Sequence, residues 1–465
     1  MLSHKDIFWG YSAQVLNIGF GVIILPVILY FLSTKEVGLW FVFMTLAGIS
    51  QLLEMGFQPT IARNVSYIHA GAQKLTTQGI QAGATGSVDT RLLAVLTSAS
   101  RWIYFRIAIV AAVLLLVFGT IYITSLLTEP EDRRLNILAW IIYSMSLIVN
   151  FYYGYIGGLL IGRGNQTQAN QVIVTMRVAQ LAGSILFISL GWGLMGLALA
   201  GLLSTILSRF IARRFLLSAK HPIQPNRLVT SAERDEMVKL LWFNASRYGT
   251  VLIGAFLTGR ANILIASSVL GLEESASYAL AVQLLIVLSG VASVPFNLSL
   301  PLLNKLRAEN NKIDLYNCFS RAISLVLIIS ILGALAFTLL GPKILQAIGS
   351  KTLLPPVYLL GLMALSCVLE INHGNCANFL ATSNTISFVR SSVFTGILIA
   401  ISSFSSVAVF GTAALVISNL LCQMAFNNWK WPVEAAKNFN VSFFSILIDG
   451  MSQTYKNLKS ASKFN

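Results

Sequence analysis

LWFNASRYGTVLIGAFLTGRANILIASSVL, residues 241–270, is the run whose reading decides the fold. It is apolar and longer than the roughly 20 residues a helix needs to cross a bilayer, yet it carries Arg247 and Arg260. A guanidinium at the bilayer centre costs about 3 kcal/mol even on lenient insertion scales. Both charges must therefore face protein or water, and the run reads as one wall of a polar interior inside the membrane.

The rest of the chain agrees. Of its 465 residues 56% are hydrophobic and 11% charged, with a mean hydropathy of +0.75, whereas soluble domains carry roughly a quarter charged residues. An integral membrane protein follows. The net charge of +15 raises the question of nucleic acid. The basic residues stand in short clusters between apolar runs, which is the pattern of membrane topology, so no nucleic-acid partner is expected. Cys318, Cys367, Cys376 and Cys422 lie in or beside apolar runs without metal-ligand spacing and read as packing residues; no metal or cofactor is expected. The N-terminal MLSHKDIFWG lacks the features of a cleaved leader, so the first run is expected to remain as a span.

Runs of spanning length centre on residues 7–31, 37–60, 102–127, 135–161, 169–190, 194–215, 241–268, 276–300, 320–341, 355–381, 387–409 and 412–431. The expected fold is an all-α integral membrane protein with 12 transmembrane helices in two six-helix bundles around a central cavity. Of the 32 Lys and Arg, 24 lie in the termini or in loops after even-numbered spans. Three (Arg177, Arg247, Arg260) lie inside spans and five (Lys35, Arg133, Arg134, Lys343, Lys351) in the other loops. That asymmetry puts both termini in the cytoplasm. The expected parts are an N-terminal bundle (1–215), a linker (216–239) containing HPIQPN and ERDEMVK, a C-terminal bundle (240–431) and a tail (432–465). In the tail VSFFSILI, residues 441–448, reads as an interfacial helix resting on membrane lipids.

The halves repeat. FLSTKEVGLW (31–40) pairs with VLGLEESASY (269–278), placing Glu36 on Glu274 at an offset of 238, and LLIGRGN (159–165) pairs with FLATSN (379–384) at an offset of 219. Six spans per half with one in/out sense make a parallel repeat, an arrangement that goes with a substrate site between halves and alternating access.

The opening PVILYFLSTKEVGLWFVFMTLAGISQLLEMGFQPTIARN (26–64), the duplication and the small polar turns after spans 4 and 10 resemble the polysaccharide transporter branch of the multidrug/oligosaccharidyl-lipid/polysaccharide (MOP) superfamily. Within it the chain is most similar to the Wzx-type O-antigen flippases. The resemblance implies a bacterial inner-membrane protein that moves an undecaprenyl-diphosphate-linked oligosaccharide from the cytoplasmic to the periplasmic leaflet. It further implies a cationic cavity between the halves, coupling to protons or another ion, and an O-antigen polymerase and a chain-length regulator as protein partners.

Such a cargo needs a wet, polar groove, because burying a diphosphate and many hydroxyls in hydrocarbon costs far more than thermal energy. Arginine suits the head group: its planar fork pairs with phosphate oxygens and stays charged. Arg247 shares a helical face with Asn244, Gly254 and Thr258, whereas Arg260 falls about 140° away on a straight helix. Both line one groove only if the helix bends at Gly249, Gly254 or Gly259; otherwise Arg247 snorkels. Span 5 repeats Asn170, Arg177, Gln180 and Ser184, and span 1 repeats Gln14, Asn17 and Gly21. These stripes line the cavity or hydrogen-bond between helices.

Two acids are intramembrane. Glu54 belongs to the stripe Gln51, Glu54, Gln58, and Glu370 lies mid-span with His373 one turn on. The alternatives are ion coupling and a static ion pair, such as Glu370 with Arg260. The aromatic run FYYGY (151–155) either stacks on sugar rings or packs with other rings.

No G-x-x-x-x-G-K-[ST], H-E-x-x-H or G-x-S-x-G occurs in the sequence, and an enzyme is not expected. Two competing functions remain. A drug or organic-cation exporter should have an acidic cavity, but three intramembrane arginines against two carboxylates favour an anionic cargo. An O-antigen polymerase or ligase needs a large outward loop, and the outward loops here are short.

Overall fold

The computed structural model describes residues 4–76, 88–127, 130–218, 229–383 and 388–461, and every regular element among them is helical. Eleven helices or helix pairs among them are long and apolar enough to cross a membrane, which makes this a multi-pass membrane protein. The chain divides into two compact units, Met1–Ile253 and Gly254–Asn465. Part of the expected linker, 219–228, lies outside the described residues; its last residues begin a helix.

In unit 1 the first span is α1 (His4–Phe31), and the second is broken into α2 (Thr34–Gln51) and α3 (Phe57–His69). Between them a short 3-10 turn, Leu52–Glu54, leads into Met55 and Gly56, both left-handed with φ of 46° and 75°. An L-residue such as Met55 resists that conformation, so the surrounding packing must hold it there. The stripe Gln51, Glu54, Gln58, read as one continuous helix, is therefore split: Gln58 starts on a different axis. The third span is α4 (Thr90–Val113), a π turn (114–119) and α5 (Thr120–Leu126); the fourth is α6 (Pro130–Tyr152) and α7 (Tyr155–Gly162). Then follow α8 (Gln166–Ser189), α9 (Gly193–Leu217) and the long α10 (Ser231–Gly259), within which the two units divide.

Packing in unit 1 rests on small residues where helices touch. A Cβ on Gly158 would sit 3.1 Å from Ile61 Cβ, and one on Gly162 would press on the Ala62 carbonyl and Val65. The two glycines thus let α7 lie almost on the backbone of α3, the way helices associate where lipid offers no hydrophobic drive. Phe57, Ile61, Val65 and Ile68 are fully buried beneath that contact. The FYYGY run also goes into packing: Phe151 is buried, Tyr152 meets Phe105 edge-on at 6.2 Å and Tyr155 meets Tyr104 at 6.3 Å.

Unit 2 continues with α11 (Ala261–Val269), α12 (Leu272–Ala292), α13 (Val294–Ala308), α14 (Lys312–Ala347), α15 (Val357–Ala381) and α16 (Val389–Phe410). The expected twelfth run is present as two shorter helices, α17 (Thr412–Ala425) and α18 (Asn427–Lys437), parted at Phe426, whose φ is −143°. The tail forms α19 (Phe443–Ala461).

The repeat is visible in the helix ends. α2 and α12 begin 238 residues apart, α7 and α15 end 219 apart, and α9 and α17 begin 219 apart. The break at Met55 recurs 238 residues later at Ser293, between α12 and α13. Even one contact repeats. Glu274 accepts a hydrogen bond from the Thr412 hydroxyl at 3.1 Å, and Glu36, its counterpart, lies where a Cβ on Gly193, the counterpart of Thr412, would stand 2.6 Å from its Oε1. A first-turn glutamate of the second span thus meets the start of the sixth in each half, with its charge near exposed helix N–H groups.

Candidate functional site: two intramembrane polar centres

Arg177 stands at the middle of the 24-residue helix α8, half-buried. Its Cζ lies 5.1 Å from the centre of the Phe20 ring of α1, and Nη1 donates to Gln180 Oε1 at 3.4 Å. An aromatic face attracts a guanidinium by roughly 0.5–2 kcal/mol, so the ring and the amide orient the fork. The other two members of the α8 stripe are packed away: Ser184 is 1% exposed and Asn170 is buried, its amide facing Gly10 of α1. Those two serve interhelical packing, whereas Arg177 and Gln180 are half-buried. Gln14 is exposed on α1; the side chain of Asn17 lies outside the described ones.

At the break of the second span, Glu54 Oε1 accepts a hydrogen bond from Tyr104 Oη at 2.7 Å. Near this pair is Arg209 of α9, which donates to Asn150 Oδ1 while its Nε has no hydrogen-bond partner among the described groups. Sequence reasoning missed Arg209 by grouping it with Arg213 and Arg214 as a cytoplasmic cluster. The available signal was position: Arg209 is one turn further into an apolar span than Arg213, deep enough for its Nε to be buried.

In unit 2 the expected bend occurs where Gly259 allowed it. α10 stops there, Arg260 takes φ −133° and ψ −22°, and α11 starts at Ala261. Gly254 is needed for another purpose, since a side chain there would run into Ser392 of α16. Arg260 therefore occupies the N-cap of α11, and the straight-helix separation of 140° does not apply. The side chains of Asn244 and Arg247 lie outside the described ones.

Beside this break is a cavity of about 150 Å³ lined by Thr258, Gly259, Tyr278, Ser366, Glu370 and Asn419, among others. Glu370 accepts a hydrogen bond from Ser366 Oγ at 3.4 Å and another from the Asn419 side chain. The Asn419 oxygen, also buried, has no partner among the described groups. A carboxylate and an unpaired amide oxygen facing one small cavity form an acceptor-rich site. His373 does not join it: its Nδ1–H donates to Asn428 Oδ1 at 2.8 Å, on α18. His373 thus has its partner on α18 and is not among the residues lining the cavity, while Glu370 is.

A family model described as polysaccharide biosynthesis protein matches residues 3–307. A search of curated proteins found no match. Among solved structures the chain is similar to a multidrug-resistance MATE transporter of the MOP superfamily in an inward-facing conformation, with 13% identity, TM-score 0.70, and 93% of this chain and 98% of that one covered. It is also similar to the lipid II flippase MurJ in an inward closed conformation, with 10% identity, TM-score 0.66 and coverage of 98% and 93%. A third likeness, at 15% identity, TM-score 0.50 and coverage of 91% and 92%, is to a MOP superfamily transporter from Pyrococcus furiosus reported for the reverse polarity of its binding pocket. The fold is that of these transporters.

Proposed function

The chain belongs to the polysaccharide biosynthesis protein family, and we propose that it is a flippase for undecaprenyl-diphosphate-linked O-antigen units. It carries them from the cytoplasmic to the periplasmic leaflet of the bacterial inner membrane, with both termini cytoplasmic. The observation that carries this reading is Arg177, a guanidinium at the centre of a 24-residue span, where a cation is costly enough to imply a use. Held by the Phe20 ring and the Gln180 amide, its fork is preset for phosphate oxygens. Gln14, Asn17, Arg247 and Arg260 are proposed as the further polar contacts to the diphosphate and glycan. The structurally similar MurJ is itself named as a flippase, of lipid II, which supports a lipid-borne cargo here.

Ion coupling is assigned to the Glu370 cavity, with Glu54 and His373 as the further candidates. The carboxylate and the Asn419 oxygen supply the acceptors that a proton carrier or small cation needs. No chemical step on the cargo is assigned. An O-antigen polymerase and a chain-length regulator are the partners expected to take over the product.

The test is reconstitution of the full chain into vesicles with a fluorescent polyprenyl-diphosphate oligosaccharide, with and without a pH gradient. Translocation that exceeds protein-free vesicles and rises with the gradient supports the reading. Export of an organic cation without movement of the glycolipid overturns it.

A further inference from the structure

α14 is 36 residues long, about 54 Å at 1.5 Å per residue, while the hydrocarbon core needs only about 30 Å. Its first turns therefore reach beyond the apolar layer, and α19 is docked on that part. Ser324 Oγ donates to the Leu447 carbonyl at 3.0 Å, Gly450 abuts Ser320, and Gln453 donates to Asn317 Oδ1 at 2.8 Å. Each step of three along α19 moves three or four back along α14, so the helices run antiparallel. Gly450 is what permits the approach, since any side chain there would run into the Ser320 carbonyl and the Ser324 hydroxyl. Tyr316 Oη closes the contact with a hydrogen bond to Asp449 at 2.6 Å.

Ile446, Gly450 and Gln453 share the docked face. Phe444, Ile448 and Met451 fall within about 60° of one another on the opposite face at 100° per residue, and they are 71%, 51% and 42% exposed. The antiparallel register sets their depth. Phe444 is level with about residue 327 of α14, in its apolar stretch, and the same register carried onward puts positions 456 and 459, both lysine in the sequence, level with about residues 314 and 311, where α14 begins. Apolar groups thus stand at acyl-chain depth and basic positions at head-group depth, on one helix.

We infer that α19 is a lipid-binding strap: its Phe444–Ile448–Met451 face lies against acyl chains of the leaflet on the side where α14 begins, and its lysine end pairs with anionic head groups. Charge fits the occupant, because basic residues next to an apolar helix face are drawn to anionic lipid. This contact is independent of the cargo and of the flippase reading.

The experiment uses the full chain in nanodiscs of phosphatidylcholine with or without phosphatidylglycerol. Cys318 and Cys422 are replaced by Ala, Ile448→Cys carries a bimane label, and doxyl-labelled lipid is the quencher; Glu309→Cys, on an exposed turn, is the control. Expected are quenching at 448 and none at 309, with the signal at 448 falling when phosphatidylglycerol is left out or Lys456 and Lys459 are changed to Glu. A 448 signal that matches the control overturns the inference, as does a disulfide cross-link between two copies of the unlabelled Ile448→Cys variant in place of quenching. Quenching indifferent to both the anionic lipid and the lysines overturns its head-group half. Hydrogen exchange on the unaltered chain gives a second reading: amides 443–453 exchange more slowly with phosphatidylglycerol present, and equal rates in both discs count against the strap.

Discussion

Replacing Phe20 tests how Arg177 is held. The guanidinium carbon is 5.1 Å from the ring centre, within the range where such contacts contribute about 0.5–2 kcal/mol. If that energy presets the fork for phosphate, its loss slows transport by roughly 2-fold to 30-fold, at 1.4 kcal/mol per decade. Phe20→Leu keeps an apolar side chain and removes the ring face; Phe20→Trp offers a stronger face. In the vesicle assay the Leu variant should fall in that window while the Trp variant matches or exceeds the parent. Thermal midpoints in detergent should stay close to the parent, since swaps of similar volume cost under about 1.5 kcal/mol. A double-mutant cycle isolates the pair: once Arg177 is Ala, Phe20→Leu should have no further effect. Equal rates for the Leu and Trp variants, or an undiminished Leu effect in the Arg177→Ala background, would refute the idea that the ring positions the cation.

Gly450→Val should loosen α19 from α14, since forcing a side chain against the Ser320 carbonyl costs about 1–3 kcal/mol; limited proteolysis of the tail reads it, and unchanged cleavage speaks against the close contact. Tyr104→Phe deletes the hydroxyl that donates to Glu54 at 2.7 Å and should lower the thermal midpoint by the equivalent of about 1–3 kcal/mol, with an unaltered midpoint as the contrary result. On α10, outside the spans, the hydrogen bond from Arg91 and those from Thr230 hold Glu233 well below its ordinary value of 4.5, at about 2. A depressed carboxyl stabilises the fold above its unfolded value and loses that contribution as pH falls through the folded one. The midpoint difference between parent and Glu233→Gln should therefore be constant from pH 8 to pH 5 and shrink only below about 4.5; a difference that fades between pH 8 and 5 contradicts this.

Much of the architecture was legible because spans are written in apolarity and length, and because Glu36 and Glu274 mark equivalent helix starts in both halves. The break at Gly259–Arg260 was legible too, as a glycine beside a charge that lipid rejects. The break at Met55–Gly56 was not anticipated: hydropathy carries no record of a left-handed residue, and the EMGFQP that surrounds it reads as one more turn of a span. Arg209 was hidden by its neighbours, since three arginines near a span end look like one cytoplasmic cluster until depth along the helix is considered. Glu370 and His373 were expected to act together from their spacing alone. Spacing carries no record of Asn428, from a distant part of the chain, which takes the Nδ1–H of His373 while Glu370 lines the cavity.

Whether an intramembrane guanidinium serves a phosphate-bearing cargo is tested most directly by the initial rate of glycolipid translocation in vesicles containing equal amounts of correctly inserted parent, Arg177→Lys and Arg177→Ala protein. Lysine keeps the charge and loses the fork, so the predicted order is parent, then Lys at a reduced rate, then Ala slowest of the three but still measurable above protein-free vesicles. Arg177→Ala vesicles that move the cargo as fast as the parent would contradict the account.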